Sequence, residues 1–487
     1  MGIKLPHTGR ILKRTGTASY IVYRDGDMYY AANGKTMSVE YSNRDATSVI
    51  QYAIDNSPEC GTVFLKHAQY YINDEIKLRN GISMIGEYAE ILPNSDFQGE
   101  AIIDIRDAPP YPPGRKQIIE GLYINAKGIA KYGIITRWNT CVGYYKISRN
   151  VIRDATESGI RLEKCGVTNI VNNTILLGAI GKKGIDLDHS GDNFISYNDI
   201  FGGAWGILAI SGGNQILVGN NIYMQYVDQS LESGKLRSGT GIQLHIWQFP
   251  VVLIGNRIDD TVRAIALTDG KEVSLIGTYM NRIGCNHYTK EDPDPNATFA
   301  IYISGNSIQA IISDTIIGMF GSSYNTARKV LYADAFKYLS IKNLIVNSIG
   351  SDYWDDIRVF DIYAVVSGTL EMDGIYYHEP RTLTKTVYGL LLHGPADIIA
   401  HIGKHNLPNV VISNNVKFTK NKGRATIRAG STRVTVLHNL VSAPSEILLT
   451  PYGNIKVWVE NVTDTSFDIV TDTAPTVDVQ VAWYAEV

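Results

Sequence analysis

Cysteine is scarce in this chain, with 4 in 487 residues, and Cys60, Cys141, Cys165 and Cys285 never adopt the Cys-x-x-Cys spacing of a zinc site. Cys141 and Cys165 precede Asn150 and Asn173 by 9 and 8 residues, which in a periodic fold stacks them as buried thiols, with a disulfide as the alternative. Proline is sparse too: 16 of them stand against 45 glycines and 30 tyrosines, a balance that suits strands and turns. Neither sign of charge dominates. The net charge of -3 gives no electrostatic ground for nucleic acid or anionic membrane, and leaves neutral or weakly charged glycans open. Long apolar runs are missing, so no membrane insertion is expected, and Met1-Gly-Ile-Lys-Leu-Pro-His-Thr8 has no signal-peptide core. Work outside a cell would then require release by lysis, on a virion or by another route.

What the chain has in abundance is one short pattern. Asn150-Val-Ile is followed by Gly159-Ile-Arg-Leu162, Asn173-Thr-Ile by Gly184-Ile-Asp-Leu187, Asn198-Asp-Ile by Gly206-Ile-Leu-Ala209, and Asn220-Asn-Ile by Gly241-Ile-Gln-Leu244. The asparagines are separated by 23, 25 and 22 residues, and Asn256 and Asn281 continue the series. So short a period of β-branched alternation, broken by Gly and Asn, is too small for a helical hairpin and is one coil of strands. Stacked coils make a parallel β-helix in which each turn touches only its neighbours. Alternation along the strand sends Ile160 and Leu162 inward and Arg161 and Glu163 outward. The recurrent Asn reads as a structural amide ladder at a bend tolerant of left-handed backbone.

In chain order, residues 1–42 read as a β-rich head or attachment segment, whose Lys4, Arg10, Lys13 and Arg14 form either a docking face or a solvated one. An amphipathic helix with an acidic start follows over 45–55, then the short strands Gly61-Thr-Val-Phe-Leu65, Tyr71-Ile-x-x-x-Ile-x-Leu78 and Ile82-Ser-Met-Ile-Gly-Glu87. The excursions Gln225–Gly239 and Cys285–Thr298 break the period, either walling a groove or marking tolerated insertions. Residues 43–415 are assigned to the coils. Six alternating strands then fill residues 416–487 as a small β-sandwich.

The helix, Gly61-Thr-Val-Phe-Leu65 and the two strand words after it resemble the pectin lyase-like superfamily, in its pectate-lyase-3-type form found in phage tailspikes and secreted glycan enzymes. The resemblance spans about residues 43 to 320. It implies an all-β, right-handed parallel β-helix with an N-terminal capping helix, and it leaves hydrolase, lyase, epimerase and pure binder open. The last segment resembles the modules that close viral fibres and spikes, which implies a homotrimer, tail attachment through the N-terminus, and a virion or extracellular location.

Aligned on their glycines, the coils give two outward columns: Ile135, Arg161, Asp186, Leu208, Gln243, and Arg137, Glu163, Asp188, Ile210, His245. Neighbouring coils lie about 4.8 Å apart, so Glu163, Asp186 and Asp188 share one patch. Stacked like charges require compensation. Arg137 and Arg161 supply it in a structural ladder; in a functional site, one protonated and one ionised carboxylate make the acid and base or nucleophile that cleave glycosides. Asp154 and Glu157 read as a solvated turn.

On the functional reading Glu163, Asp186 and Asp188 are catalytic, and Arg137, Arg161, His189, His245, Trp247 and Trp205 bind substrate. No cofactor is required for hydrolysis. A lyase would place Ca2+ on the three acids, with Arg161 or Arg137 as base. Gly184-Ile-Asp-Leu-Asp-His189 also distantly resembles the Tyr-Gly-Phe-Asp-Pro-His signature of mannuronan C5-epimerases; Tyr and Pro are missing, and an extra residue flips His189 to the opposite face of a regular strand. The expected activity is depolymerisation of a cell-surface or extracellular polysaccharide, hydrolysis ahead of lysis. The rival is a non-catalytic adhesin or structural spike, favoured by apolar Leu208 and Ile210 beside the acids. Asp259, Asp260, Asp355 and Asp356 are further acids suited to a cleft between subunits.

Overall fold

The computed structural model describes residues 18–79, 81–105, 117–137, 145–178, 182–223, 239–245, 249–261, 263–283, 299–305, 308–318, 329–347, 356–378, 386–413 and 415–487, with Asp356, Ile357 and Thr386 described by backbone alone. Its dominant feature is a sheet of 13 strands, all paired in parallel, each contributed by a successive coil. In chain order these are β1 (Ile76–Leu78), β2 (Ala101–Ile105), β3 (Tyr132–Arg137), β4 (Ser158–Glu163), β5 (Lys183–Asp188), β6 (Trp205–Ile210), β7 (Thr240–His245), β8 (Arg263–Thr268), β9 (Phe299–Ser304), β10 (Lys329–Ala335), β11 (Asp356–Tyr363), β12 (Thr386–His393) and β13 (Val410–Ile412). The rest of each coil joins a 27-stranded sheet that wraps the other sides. The chain is thus a right-handed parallel β-helix, as the resemblance implies.

The bore is filled by the inward set of each strand: Ile134, Ile160, Leu162, Ile185, Leu187, Ile207, Ile242 and Leu244 are all buried. The glycine that opens each Gly-Ile-x-Leu word is set by crowding. A Cβ on Gly184 would lie 2.4 Å from Ile200 Cγ2 and 2.6 Å from the Gly206 carbonyl oxygen. No side chain fits there, so the coil closes on glycine.

At another corner the asparagines form the expected ladder. The Nδ2 of Asn150 donates to Asn173 Oδ1 at 3.0 Å, Asn173 to Asn198 at 3.0 Å, Asn198 to Asn220 at 3.0 Å and Asn220 to Asn256 at 2.9 Å. Each Nδ2 also donates to a backbone carbonyl, Asn198 to that of Ile170 at 2.9 Å. Two details differ from the sequence reading. The left-handed residue is the one before each Asn, namely Arg149, Asn172, Tyr197, Gly219 and Gly255. And Asn281 is not a rung: it ends the strand Tyr279–Asn281 and bonds Asp259, while buried Thr278 takes the next corner.

The N-terminal end is closed by helix α1 (Ala46–Asp55), capped by Asp45, which accepts from Thr47 N and Ser48 N at 3.1 Å. Val49, Ile50, Ala53 and Ile54 bury its apolar face on the first coil. Its Gln51 amide both donates to Lys77 O and accepts from Lys77 N, each at 3.1 Å, and so pairs the open edge of β1. Within residues 1–42, Tyr20–Asp25 and Met28–Asn33 form a hairpin; Tyr20–Asp25 runs parallel to Thr62–Leu65, extending the large sheet. At the other end two three-stranded antiparallel sheets, Lys420–Ile427 with Val479–Glu486 and Glu446–Pro451, and Arg433–Leu437 with Ser466–Thr471 and Val457–Glu460, enclose Phe467, Ile469, Val481 and Trp483. This is the expected sandwich. Cys165 is buried. Cys141, residues 225–238 and residues 285–298 lie outside the described residues.

Replacing Asn198 by Leu strands the Ile170 carbonyl and the Asn173 amide inside the corner. Chemical denaturation is expected to show a loss of about 2–4 kcal/mol, against about 0.5 kcal/mol or less for Asn281→Ala. Equal losses at the two positions would contradict the ladder.

Candidate functional site

The outer face of the 13-stranded sheet carries the acids in the expected register. Arg161 of β4 is the Cα partner of Asp186 of β5, and Glu163 is that of Asp188. One cation organises the patch. Arg161 NH1 donates to Asp186 Oδ2, its NH2 reaches Asp188 Oδ2 at 2.6 Å, and its Nε lies 3.7 Å from Glu163 Oε2. Burial alone would lower the Arg161 pKa, yet the charges of Asp186 and Asp188 hold it above the ordinary guanidinium value.

The three carboxylates are not equivalent. Asp186 is 1% exposed; its Oδ2 also accepts from Lys183 Nζ at 2.9 Å, while Oδ1 is buried with no hydrogen-bond partner among the described residues. Asp188 and Glu163 reach solvent, with side chains 27% and 36% exposed. His189 Nδ1 lies 2.6 Å from Asp188 Oδ1. A regular strand would turn that ring away, but His189 has φ of 52°, and this left-handed step ends β5 and brings the imidazole back to the carboxylate.

The other expected binding residues are dispersed. Arg137 turns towards the preceding coils, with NH2 2.7 Å from Glu100 Oε2 and 3.7 Å from Glu75 Oε1, and Nε 3.5 Å from Asp104 Oδ2. Trp205 stands beside Lys183 in the register and donates from Nε1 to Gln243 Oε1 at 2.8 Å. His245 is two coils from Asp188, beyond Ile210, and its Nδ1 lies 2.7 Å from Thr268 Oγ1. Trp247 and Asp355 lie outside the described residues. Asp259 is buried on the other sheet between Arg257 and Arg282, at 3.2 and 2.9 Å. Glu157 pairs with Lys182 at 2.9 Å and Asp154 with Arg153 at 2.6 Å.

Further along the same face the column continues through Ala266, Tyr302, Tyr332 and Asp361, a cluster absent from the sequence reading. The rings of Tyr302 and Tyr332 stack at 5.7 Å, and Lys329 Nζ lies 3.8 Å from the Tyr332 centroid. Asp361, 1% exposed, receives Lys329 Nζ and Arg358 NH1, each at 2.9 Å, and faces His393 Nε2 at 2.8 Å. Burial would raise its carboxyl, but the bonds from His393 and Lys329 hold it below the usual range. Burial and the charges of Asp334 and Asp361 push the Tyr332 hydroxyl up to about 12. Aligning Ile301-Tyr302-Ile303, Leu331-Tyr332-Ala333 and Phe360-Asp361-Ile362 with Gly-Ile-x-Leu, once the intervening insertions are removed, is the signal that finds this cluster.

Residues 131–235 match the family model described as periplasmic copper-binding protein (NosD), across the coils of the Asn ladder. No curated protein matches the sequence. Among solved structures, the chain is similar to the A-module of the mannuronan C-5 epimerase AlgE6 of Azotobacter vinelandii, at 13% identity over 69% of this chain and 96% of that one, with a TM-score of 0.46. It is similar to a mutant tailspike protein of E. coli bacteriophage HK620 in complex with a pentasaccharide, at 10% identity over 91% and 89% of the two chains, with a TM-score of 0.47. The tailspike protein gp49 of Pseudomonas phage LKA1 gives 12% identity over 90% and 91%, with a TM-score of 0.38. These structures are parallel β-helices.

Because the folded-state pKa of Asp361 is depressed, the stability it contributes is complete above the ordinary carboxylate value of about 3.9 and is lost as pH falls below it. Thermal melts from neutral pH to about pH 3 are expected to fall less steeply for Asp361→Asn than for the wild type. Parallel slopes would contradict the ion-paired state.

Proposed function

We propose that this β-helix binds a cell-surface or extracellular polysaccharide along the outer face of its 13-stranded sheet and cleaves it with Glu163 and Asp188. The observation that carries the reading is the placement of these two partly exposed carboxylates on directly paired positions of adjacent coils. Two carboxyls on paired positions suit a glycosidase in which one acts as the acid and the other as nucleophile or base. Asp186 serves as a positioning group, holding the guanidinium of Arg161 against the pair. Arg161 and Lys183 lie against the carboxylate oxygens that a Ca2+ ion would need. A Ca2+-dependent lyase or epimerase is accordingly the poorer fit.

A second reading is retention of the glycan without cleavage. It is favoured by Leu208 and Ile210, the Cα partners of Asp186 and Asp188, which leave the next coil apolar. Incubation with host surface glycans separates the two. Cleavage predicts new reducing ends, with no unsaturated-uronate absorbance near ~235 nm, and a fall in their release of about a hundredfold or more in Glu163→Gln and Asp188→Asn. Glu163→Gln should leave the melting temperature unchanged. Binding without new reducing ends would establish the adhesin.

The proposed state is a homotrimer on a virion tail or in the extracellular space. Support for self-association comes from four exposed apolar residues stacked on consecutive coils of the large sheet: Tyr279, Ile316, Ile345 and Tyr376, 39%, 36%, 37% and 57% exposed. Ile345→Asp combined with Tyr376→Asp is expected to reduce a trimeric mass to that of one chain in sedimentation equilibrium; an unaltered mass would move the interface elsewhere. No helix among the described residues is long and apolar enough to cross a membrane.

A further inference from the structure

On the large sheet, not the 13-stranded sheet of the Glu163 patch, a cavity of about 480 Å³ opens between His67, Ala68, Gln69, Tyr88, Glu90 and Tyr123. Gln69, Glu90 and Tyr123 are consecutive rungs of one outward column, with Gln69 paired to Glu90 and Glu90 to Tyr123. They span three coils, about 10 Å along the axis.

Tyr88 is placed at the cavity by an irregularity. The 11-residue strand Ser83–Pro93 shifts register against Gln117–Asn125 between Ile85 and Ala89, and this bulge carries Tyr88 out of the sheet. Its φ is 53° and it is 75% exposed. Around the Asn ladder, left-handed residues turn the corners of coils. Tyr88 turns the corresponding corner two coils earlier: Ala89 pairs with Leu122, whose N–H donates to Asn150 Oδ1, and the residue before each, Tyr88, Gly121 and Arg149, is left-handed. Beside it, the His67 ring nitrogen Nδ1 lies 3.2 Å from the Tyr88 carbonyl oxygen.

The polar groups are fixed in position. Glu90 accepts from Gln69 Nε2 at 2.8 Å and from Asn125 Nδ2 at 3.3 Å, leaving lone pairs on both carboxylate oxygens. The Tyr123 oxygen accepts from Arg153 NH1 at 3.1 Å, so its own hydroxyl hydrogen points to another acceptor. An exposed aromatic ring beside a fixed carboxylate, an amide and a phenol is the chemistry that recognises a pyranose: the ring covers the C–H face, and the polar groups take the hydroxyls. A carboxylate in the wall disfavours a uronate.

We propose that this cavity is a binding site for one or two residues of a neutral pyranoside, separate from the acids of the 13-stranded sheet and independent of whether those acids cleave. Saturation-transfer NMR with lactose and cellobiose as probes, and glucuronate as the anionic comparison, tests it. The full chain should transfer saturation to at least one disaccharide and less to glucuronate. Tyr88→Ala should weaken that disaccharide's binding roughly tenfold. Tyr88→Gly should do the same while raising the melting temperature, because glycine relieves the left-handed strain. The double variant Glu163→Gln, Asp188→Asn should keep the wild-type signal. The proposal is overturned if neither disaccharide binds, if glucuronate binds as well as they do, or if Tyr88→Ala binds normally. It also fails if Tyr88→Gly loses binding together with stability, or if the signal follows the double variant.

Discussion

Coil-to-coil register is the constraint on which everything else in this protein rests. Each coil must lie directly over the last, because a one-residue slip would send Arg161 and Glu163 into the bore and Ile160 and Leu162 into water. Two devices enforce it. Glycine such as Gly184 leaves room only for Ile200 of the neighbouring corner, and the buried amides of Asn150, Asn173, Asn198, Asn220 and Asn256 accept one another's hydrogens at about one spacing only. The left-handed residues ahead of those asparagines are unfavourable alone, Arg149 and Tyr197 above all, and the ladder offsets them.

The same register turns sequence distance into neighbourhood. Residues 25 apart, Arg161 and Asp186, become an ion pair, and Tyr302 and Tyr332 become a stack. An acid placed on such a face meets whatever occupies the same place one coil away, so charge compensation has to be written into the next repeat. Arg161 answers Asp186 and Asp188 on the next coil, and Lys329 answers Asp361 likewise, with Arg358 of the same strand beside it. The first cluster keeps two carboxylates partly exposed; the second is sealed and stacked with rings. That contrast separates a patch open to solvent from one that holds the wall together.

The coils, the capping helix and the sandwich were legible because period and alternation determine which residues face inward, and Gly-Ile-x-Leu states both. So was the pairing of Glu163 with Asp188. The choice of partners was not. Arg137 and Arg161 stand at the same height of their coils to within two residues, yet Arg137 turns back to Glu100 and Asp104 while Arg161 turns forward, a matter of rotamer that no spacing encodes. His189 rejoins Asp188 through a left-handed step that a non-glycine residue rarely takes, and Asn281 imitates a rung while sitting past the corner. Tyr302, Tyr332 and Asp361 were hidden because insertions separate their strands unevenly, and Tyr88 because a bulge obeys no alternation.

Solenoids have no inherent last turn, since every coil offers the next the same ladder of amides and carbonyls. Here the Gln51 side chain occupies both backbone groups of Lys77 at the first exposed rung. At the far end Phe418 pairs with Leu440 and packs against both the coil core and the sandwich core. The rod is therefore terminated from within its own chain: its length is counted out by the number of repeats, and end-to-end growth into filaments is denied a template.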